Sequence, residues 1–111
     1  MANILVIDDS EMLRQQVREA FEESHSFTAE IIEADSGLSG IEALKTQDID
    51  LVICDLVMRD LDGYAFLTMK QTNPVLADTP VIMLTAREEL EPLIACLSAG
   101  ASDYLRKPFN P

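Results

Sequence analysis

The chain has 111 residues, 20 of them acidic and 8 basic, with one histidine, for a formal net charge of −12. That length allows one domain with a core able to fold without staples, and that charge opposes direct binding to nucleic-acid phosphates. Cys54 in an apolar run and Cys96 in a helical pattern read as buried small hydrophobes suited to a reducing compartment, not as a disulfide framework or metal knuckle. No apolar run approaches the roughly 18 residues of a membrane span, and Asp8 and Asp9 follow Met1 too closely for a signal peptide. The expectation is a soluble cytoplasmic domain with no membrane partner.

Apolar runs alternate with segments of helical spacing, which predicts repeated βα units around a parallel sheet. The first run, Ile4-Leu5-Val6-Ile7, precedes a helix with Ser10 as N-cap and a stripe of Leu13, Val17, Ala20 and Phe21. His25 falls in the polar stretch from Ser24 to Thr28 and reads as a loop residue. The second strand, Ala29 to Ala34, has Glu30 and Glu33 beside Ile31-Ile32, and such charged flanks suit a sheet edge. A second helix follows Ser36-Gly37 with Leu38, Ile41 and Leu44 as its stripe. The third run is Leu51-Val52-Ile53-Cys54; the helix after it begins near Asp62-Gly63, turns Phe66 and Leu67 inward and ends at Asn73-Pro74. The fourth run is Val81-Ile82-Met83-Leu84, and like the first and third its continuous apolar character suits a central strand. The fourth helix carries Leu90, Leu93, Ile94 and Leu97, has Pro92 in its first turn and stops at Gly100. Tyr104-Leu105-Arg106 forms the fifth strand. Met58, Met69 and Met83 read as packing residues.

Pro111 follows closely on the fifth strand. The expectation is therefore that residues 1–111 form a single domain, the N-terminal part of a longer protein or a truncated piece of one, whose final helix is missing.

Four polar signals end these runs: Asp8-Asp9, Asp55, Thr85 and Lys107-Pro108. In an open α/β sheet the carboxyl ends of the strands are where ligands bind. Three carboxylates gathered there repel pairwise by roughly 3 kcal/mol at about 5 Å and an effective dielectric near 20, so a compensating charge is required. Mg²⁺ suits such a site because it takes one or two carboxylates, keeps waters and accepts phosphate oxygens. A carboxylate beside it can attack phosphorus to give an aspartyl phosphate, with Mg²⁺ and the Lys107 ammonium neutralising charge on the phosphoryl oxygens and the Thr85 hydroxyl donating a hydrogen bond to them. Each signal alone has a plainer meaning. An Asp-Asp pair, Asp62-Gly63 and Thr85 are all familiar as caps and turns, and Lys107 as a solvated lysine. Their joint order on four strand ends favours the pocket.

Those residues, with Asp55-Leu56-Val57-Met58, Thr85-Ala86, Gly100-Ala101 and Asp103-Tyr104-Leu105 followed by Lys107-Pro108-Phe109, make the chain resemble the receiver domain of bacterial two-component response regulators, including the single-domain chemotaxis regulator. The resemblance covers nearly the whole chain. It implies a flavodoxin-like, doubly wound α/β fold with five parallel strands in the order 2-1-3-4-5. It implies Asp55 as phosphoacceptor, Asp9 and Asp55 as direct Mg²⁺ ligands, Asp8 as a ligand through water, and the Val57 backbone carbonyl as a further ligand, with Mn²⁺ as the alternative ion. By the same resemblance Thr85 and Lys107 bind the phosphoryl group, Thr85 and Tyr104 form the switch, and the Lys107-Pro108 peptide bond is cis. The implied partners are a sensor histidine kinase and a downstream effector domain or protein. The implied role is signalling, not catalysis on another substrate.

Two departures from the family pattern matter. Arg59 stands where many relatives have proline, which predicts an effect on rates or a surface pairing with Asp60. Val57 and Arg87 flank the route of an attacking water. With the final helix missing, dimerisation is left open. Competing readings are an aspartyl-nucleophile phosphatase, opposed by Val57 where the haloacid dehalogenase type needs a second Asp, and an FMN-binding flavodoxin-like protein, opposed by the acidic pair where a phosphate loop is needed.

Overall fold

The computed structural model describes residues 2–23, 28–85 and 90–106. His25, Arg87, Lys107 and the Lys107-Pro108 bond lie outside the described residues. Five strands, β1 (Ala2–Ile7), β2 (Ala29–Ala34), β3 (Leu51–Asp55), β4 (Val81–Thr85) and β5 (Asp103–Arg106), alternate with four helices, α1 (Glu11–Glu23), α2 (Gly37–Thr46), α3 (Gly63–Gln71) and α4 (Leu90–Ser98). Every strand pair is parallel and the sheet order is β2-β1-β3-β4-β5. The charged β2 takes an edge and the apolar β1, β3 and β4 take the centre, as their composition requires. Among the described residues no helix is long and apolar enough to cross a membrane.

Side chains alternate across a strand with a period of two, and the core divides accordingly. Leu5, Ile7, Val52, Cys54, Val81 and Met83 pack on one face with Ile41, Leu44, Phe66, Leu67, Leu93 and Cys96 from the helices. Ile4, Val6, Ile53 and Leu84 pack on the other with Val17 of α1. An apolar groove of about 190 Å³ on that second face is lined by Phe21, Leu51, Ile53, Ile82, Leu84 and Leu105 among others.

Several expected stripes are rotated. In α2 the buried residues are Gly37, Gly40, Ile41 and Leu44, and Leu38 is exposed. A glycine face lets the helix lie close to Ile7 and Leu61, which turns Leu38 outward. In α4, Leu93 and Cys96 are buried whereas Leu90, Ile94 and Leu97 are exposed. Met58 and Met83 are core residues, but Met69 is exposed. In α1 only Val17 is fully buried. Pro92 does lie in the first turn of α4, and Gly100 has φ +118° just beyond its end, a left-handed conformation that glycine adopts without a Cβ clash.

Lys70 is buried on α3, where its Nζ donates to Gln71 Oε1 at 2.7 Å and to the Ala77 carbonyl at 2.8 Å. Burial lowers its pKa, opposed by the charge of Asp78. It fastens α3 to the segment leading into β4.

Gly63 opens α3 and donates its N–H to the Leu56 carbonyl at 2.8 Å. A Cβ there would stand 2.5 Å from the Asp55 carbonyl oxygen, 2.7 Å from Met83 Cε and 2.8 Å from Leu56 Cα. Backbone cannot retreat as a flexible side chain does. The usual gain of up to about 1 kcal/mol for glycine to alanine in a helix is therefore outweighed by overpacking of about 1–3 kcal/mol. Gly63→Ala is expected to lower stability in urea denaturation; an unchanged or raised midpoint would show that the contact relaxes freely.

Candidate functional site

The end of β1 runs directly into Asp8 and Asp9, and β3 ends on Asp55. Register pairing of Ile7 with Cys54 sets these two strand ends side by side. One carboxylate oxygen from each of Asp8, Asp9 and Asp55 lies within 4.8 Å of the others. Asp8 and Asp55 are buried and Asp9 is half-buried. At that separation each ionised pair repels by roughly 3 kcal/mol at an effective dielectric near 20. An all-oxygen donor set of this compactness and charge fits a hard divalent cation.

Local hydrogen bonds hold the acids in place. The Ser10 N–H donates to Asp8 Oδ1 at 2.9 Å, and the Ser10 hydroxyl accepts from the Leu13 N–H at 3.3 Å, giving α1 the expected cap. The Arg14 guanidinium donates to the Asp8 carbonyl and pairs with Glu33 at 3.0 Å, tying α1 to β1 and β2. The N–H of Arg59 donates to Asp9 Oδ2 at 3.1 Å, and its Nε donates to the same oxygen at 3.3 Å. Arg59 thus pairs with Asp9, not with Asp60.

Asp60 serves a different element. Its carboxylate accepts from the N–H groups of Gly37 at 3.3 Å and Leu38 at 3.4 Å, at the N-terminus of α2. Next in the loop, Asp62 caps α3 by accepting from the Ala65 N–H at 2.8 Å. The segment between β3 and α3 is therefore fastened to the β1 end, to α2 and to α3 by three nearby charged residues. Sequence spacing could not reveal the Arg59 contact, because the partners are 50 residues apart.

Thr85 ends β4 and is fully buried. Its strand neighbours Asp55 through the pairing of Asp55 with Leu84, and the Leu56 N–H donates to the Leu84 carbonyl at 2.9 Å. Tyr104 on β5 pairs with Met83 and is exposed. Val57 is exposed beside the site. Cys54, immediately before Asp55, is buried, and burial followed by the charge of Asp55 pushes its thiol pKa up; burial, with a smaller contribution from Asp62, raises that of Cys96 to about 11. Both cysteines are free thiols, and the protonated form is a poor nucleophile.

A five-stranded parallel α/β sheet with an acid triad at its carboxyl edge defines a receiver-type signalling domain. The family model for the response regulator receiver domain matches residues 4–111, and the chain belongs to that family. It is 38% identical over 111 residues to the KDP operon transcriptional regulatory protein KdpE of Escherichia coli (strain K12), covering 99% of this chain and 46% of that protein. It is 36% identical over 106 residues to the response regulator MprA of Mycobacterium ulcerans, covering 96% of this chain and 44% of that one. The chain thus spans about half the length of these curated relatives. Among solved structures it is similar to Vibrio cholerae chemotaxis protein CheY4, with a TM-score of 0.88 at 29% identity, covering 100% of this chain and 90% of that one. It is also similar to a putative response regulator from Chloroflexus aurantiacus, with a TM-score of 0.89 at 29% identity, covering 99% and 88%.

The hydrogen bonds around Asp60 give the loop a pH dependence. Slight burial raises its pKa, but backbone N–H donors from Leu61, Gly37, Leu38 and Asp60 itself outweigh that and lower the pKa below the usual 3.8. An acid depressed in the folded state stabilises above its unfolded pKa, and the contribution disappears as pH falls through the folded value. Between about pH 4 and pH 2 the unsubstituted chain is expected to lose more stability than Asp60→Asn. Parallel losses in urea midpoints over that range would remove Asp60 from the account.

Proposed function

We propose that this domain is a phosphorylation-controlled switch in which Asp55 receives a phosphoryl group from a sensor histidine kinase. The compact triad of Asp8, Asp9 and Asp55 carries the proposal, and family membership supports it. An oxygen of Asp55 attacks phosphorus, the bond from phosphorus to the donor imidazole nitrogen breaks, and the imidazole takes up a proton from solvent. Asp8, Asp9, Asp55 and the Val57 carbonyl would hold Mg²⁺, or Mn²⁺ in its place, which supplies positive charge for the phosphoryl oxygens. The Thr85 hydroxyl and the Lys107 ammonium would receive those oxygens on the remaining sides.

The switch follows from differential contact. A phosphoryl oxygen on Asp55 draws the Thr85 hydroxyl, and Tyr104 takes the space released, reshaping the surface of α4 and β5. The change passes to an effector domain or separate protein. Likeness to a protein named as a transcriptional regulator favours a transcriptional output, and the charge of −12 argues that nucleic acid would be touched by another part of the protein. A cytoplasmic location agrees with a kinase donor.

Incubation with acetyl phosphate, with and without Mg²⁺, tests the reading by intact mass. One Mg²⁺-dependent phosphoryl group that is absent from Asp55→Asn is the expected result. A folded chain that takes up no phosphoryl group, or an Asp55→Asn chain labelled to the same extent, would contradict it. Val57 is apolar and exposed beside the site, so it offers an attacking water no hydrogen bond. Val57→Asn is therefore expected to change the phosphoryl lifetime severalfold, as followed by loss of the added mass over time; equal decay rates would exclude any influence of that side chain.

A further inference from the structure

Arg59 brings a guanidinium to one of the three acids, and two features make its contact conditional. Its side chain is 87% exposed, so it can leave Asp9 without disturbing the core. The Arg59 N–H holds the same Asp9 oxygen at 3.1 Å, and the next residue, Asp60, is fastened to α2 by its own carboxylate. The loop and the Asp9 carboxylate are therefore positioned by backbone contacts, and the guanidinium adds charge.

We propose that Arg59 is a built-in counter-ion for Asp9 that competes with a divalent cation for the acid triad and thereby sets the cation affinity of the site. The inference rests on the reading of Asp8, Asp9 and Asp55 as a divalent-cation site. Without a cation, Arg59 offsets part of the repulsion among carboxylates within 4.8 Å. With one in place, the guanidinium faces a positive charge across a shared carboxylate, and the pairing with Asp9 weakens. A proline or aliphatic side chain at this position would provide no such competitor. The Arg59 side chain acts through Asp9, by offsetting its charge.

An exposed ion pair is strongly screened, so the expected effect is modest: about three- to fivefold tighter Mg²⁺ binding when the guanidinium is removed. Mg²⁺ titrations by calorimetry on the unsubstituted chain, Arg59→Ala, Arg59→Gln and Arg59→Lys measure it without phosphoryl transfer. The alanine and glutamine chains are expected to bind more tightly by that factor, and the lysine chain to stay near the unsubstituted one. In ¹⁵N NMR the Arg59 Nε–H signal is expected to shift over the same Mg²⁺ range as the Asp9 amide, which a merely structural arginine would not do. Equal affinity in all four chains, weaker binding without the guanidinium, or an Nε–H signal indifferent to Mg²⁺ overturns the inference and leaves the divalent site standing. Absence of Mg²⁺ binding in every chain overturns the site, and the inference falls with it.

Discussion

Mutual repulsion among three carboxylates is the constraint around which the rest of the molecule is organised. Asp8, Asp9 and Asp55 bring oxygens within 4.8 Å of one another, at a cost of a few kcal/mol for each ionised pair. Whole domains are stable by only about 5–15 kcal/mol. The acids stay together because the strands carrying them are fixed by parallel pairing from Ile4 with Leu51 to Ile7 with Cys54 and by side chains buried on both faces. Ser10 and Arg59 then direct N–H donors at the carboxylates. Packing pays for the site; hydrogen bonding orients it.

The segment between β3 and α3 distributes that orientation. Arg59 reaches the β1 end, Asp60 the start of α2, and Asp62 the first turn of α3. Gly63 permits α3 to start against the backbone of Asp55 itself. Asp55 is thus linked to α2 and α3 through groups only a few residues away. Because each contact uses a different element, the loop has a fixed shape even though Val57, Arg59 and Asp60 are exposed.

The central strands were legible because burial on both faces leaves a continuous apolar run, and the acids were legible because each directly ends such a run. Helix faces were less so. Leu38, Leu90, Ile94 and Leu97 satisfy helical spacing yet are exposed, since glycines in α2 permit a closer approach on an adjacent face and α4 packs through Leu93 and Cys96. Helical periodicity records which residues share a stripe; it does not record how near the backbone can come. Lys70 was missed for a different reason: a buried lysine depends on the Ala77 carbonyl being within reach, which is a property of the fold. The partners of Arg59 and Asp60 were hidden because Asp9 and Gly37 are distant in sequence and adjacent only once the sheet is assembled.

That last dependence has a kinetic side. The acids come from positions 8, 9 and 55, and their strands meet only when the intervening chain, which carries β2 and α2, closes into a loop. Non-local pairing of this kind is slow because loop closure must precede the contacts that reward it. A partly folded chain with α1 and β2 in place but β3 unpaired would hold at most two of the three acids, so an ion that needs all three favours states in which β1 and β3 are paired. The same cluster that makes folding harder in electrostatic terms would then act as a checkpoint, engaging its ligand only in molecules whose central strands have found their register.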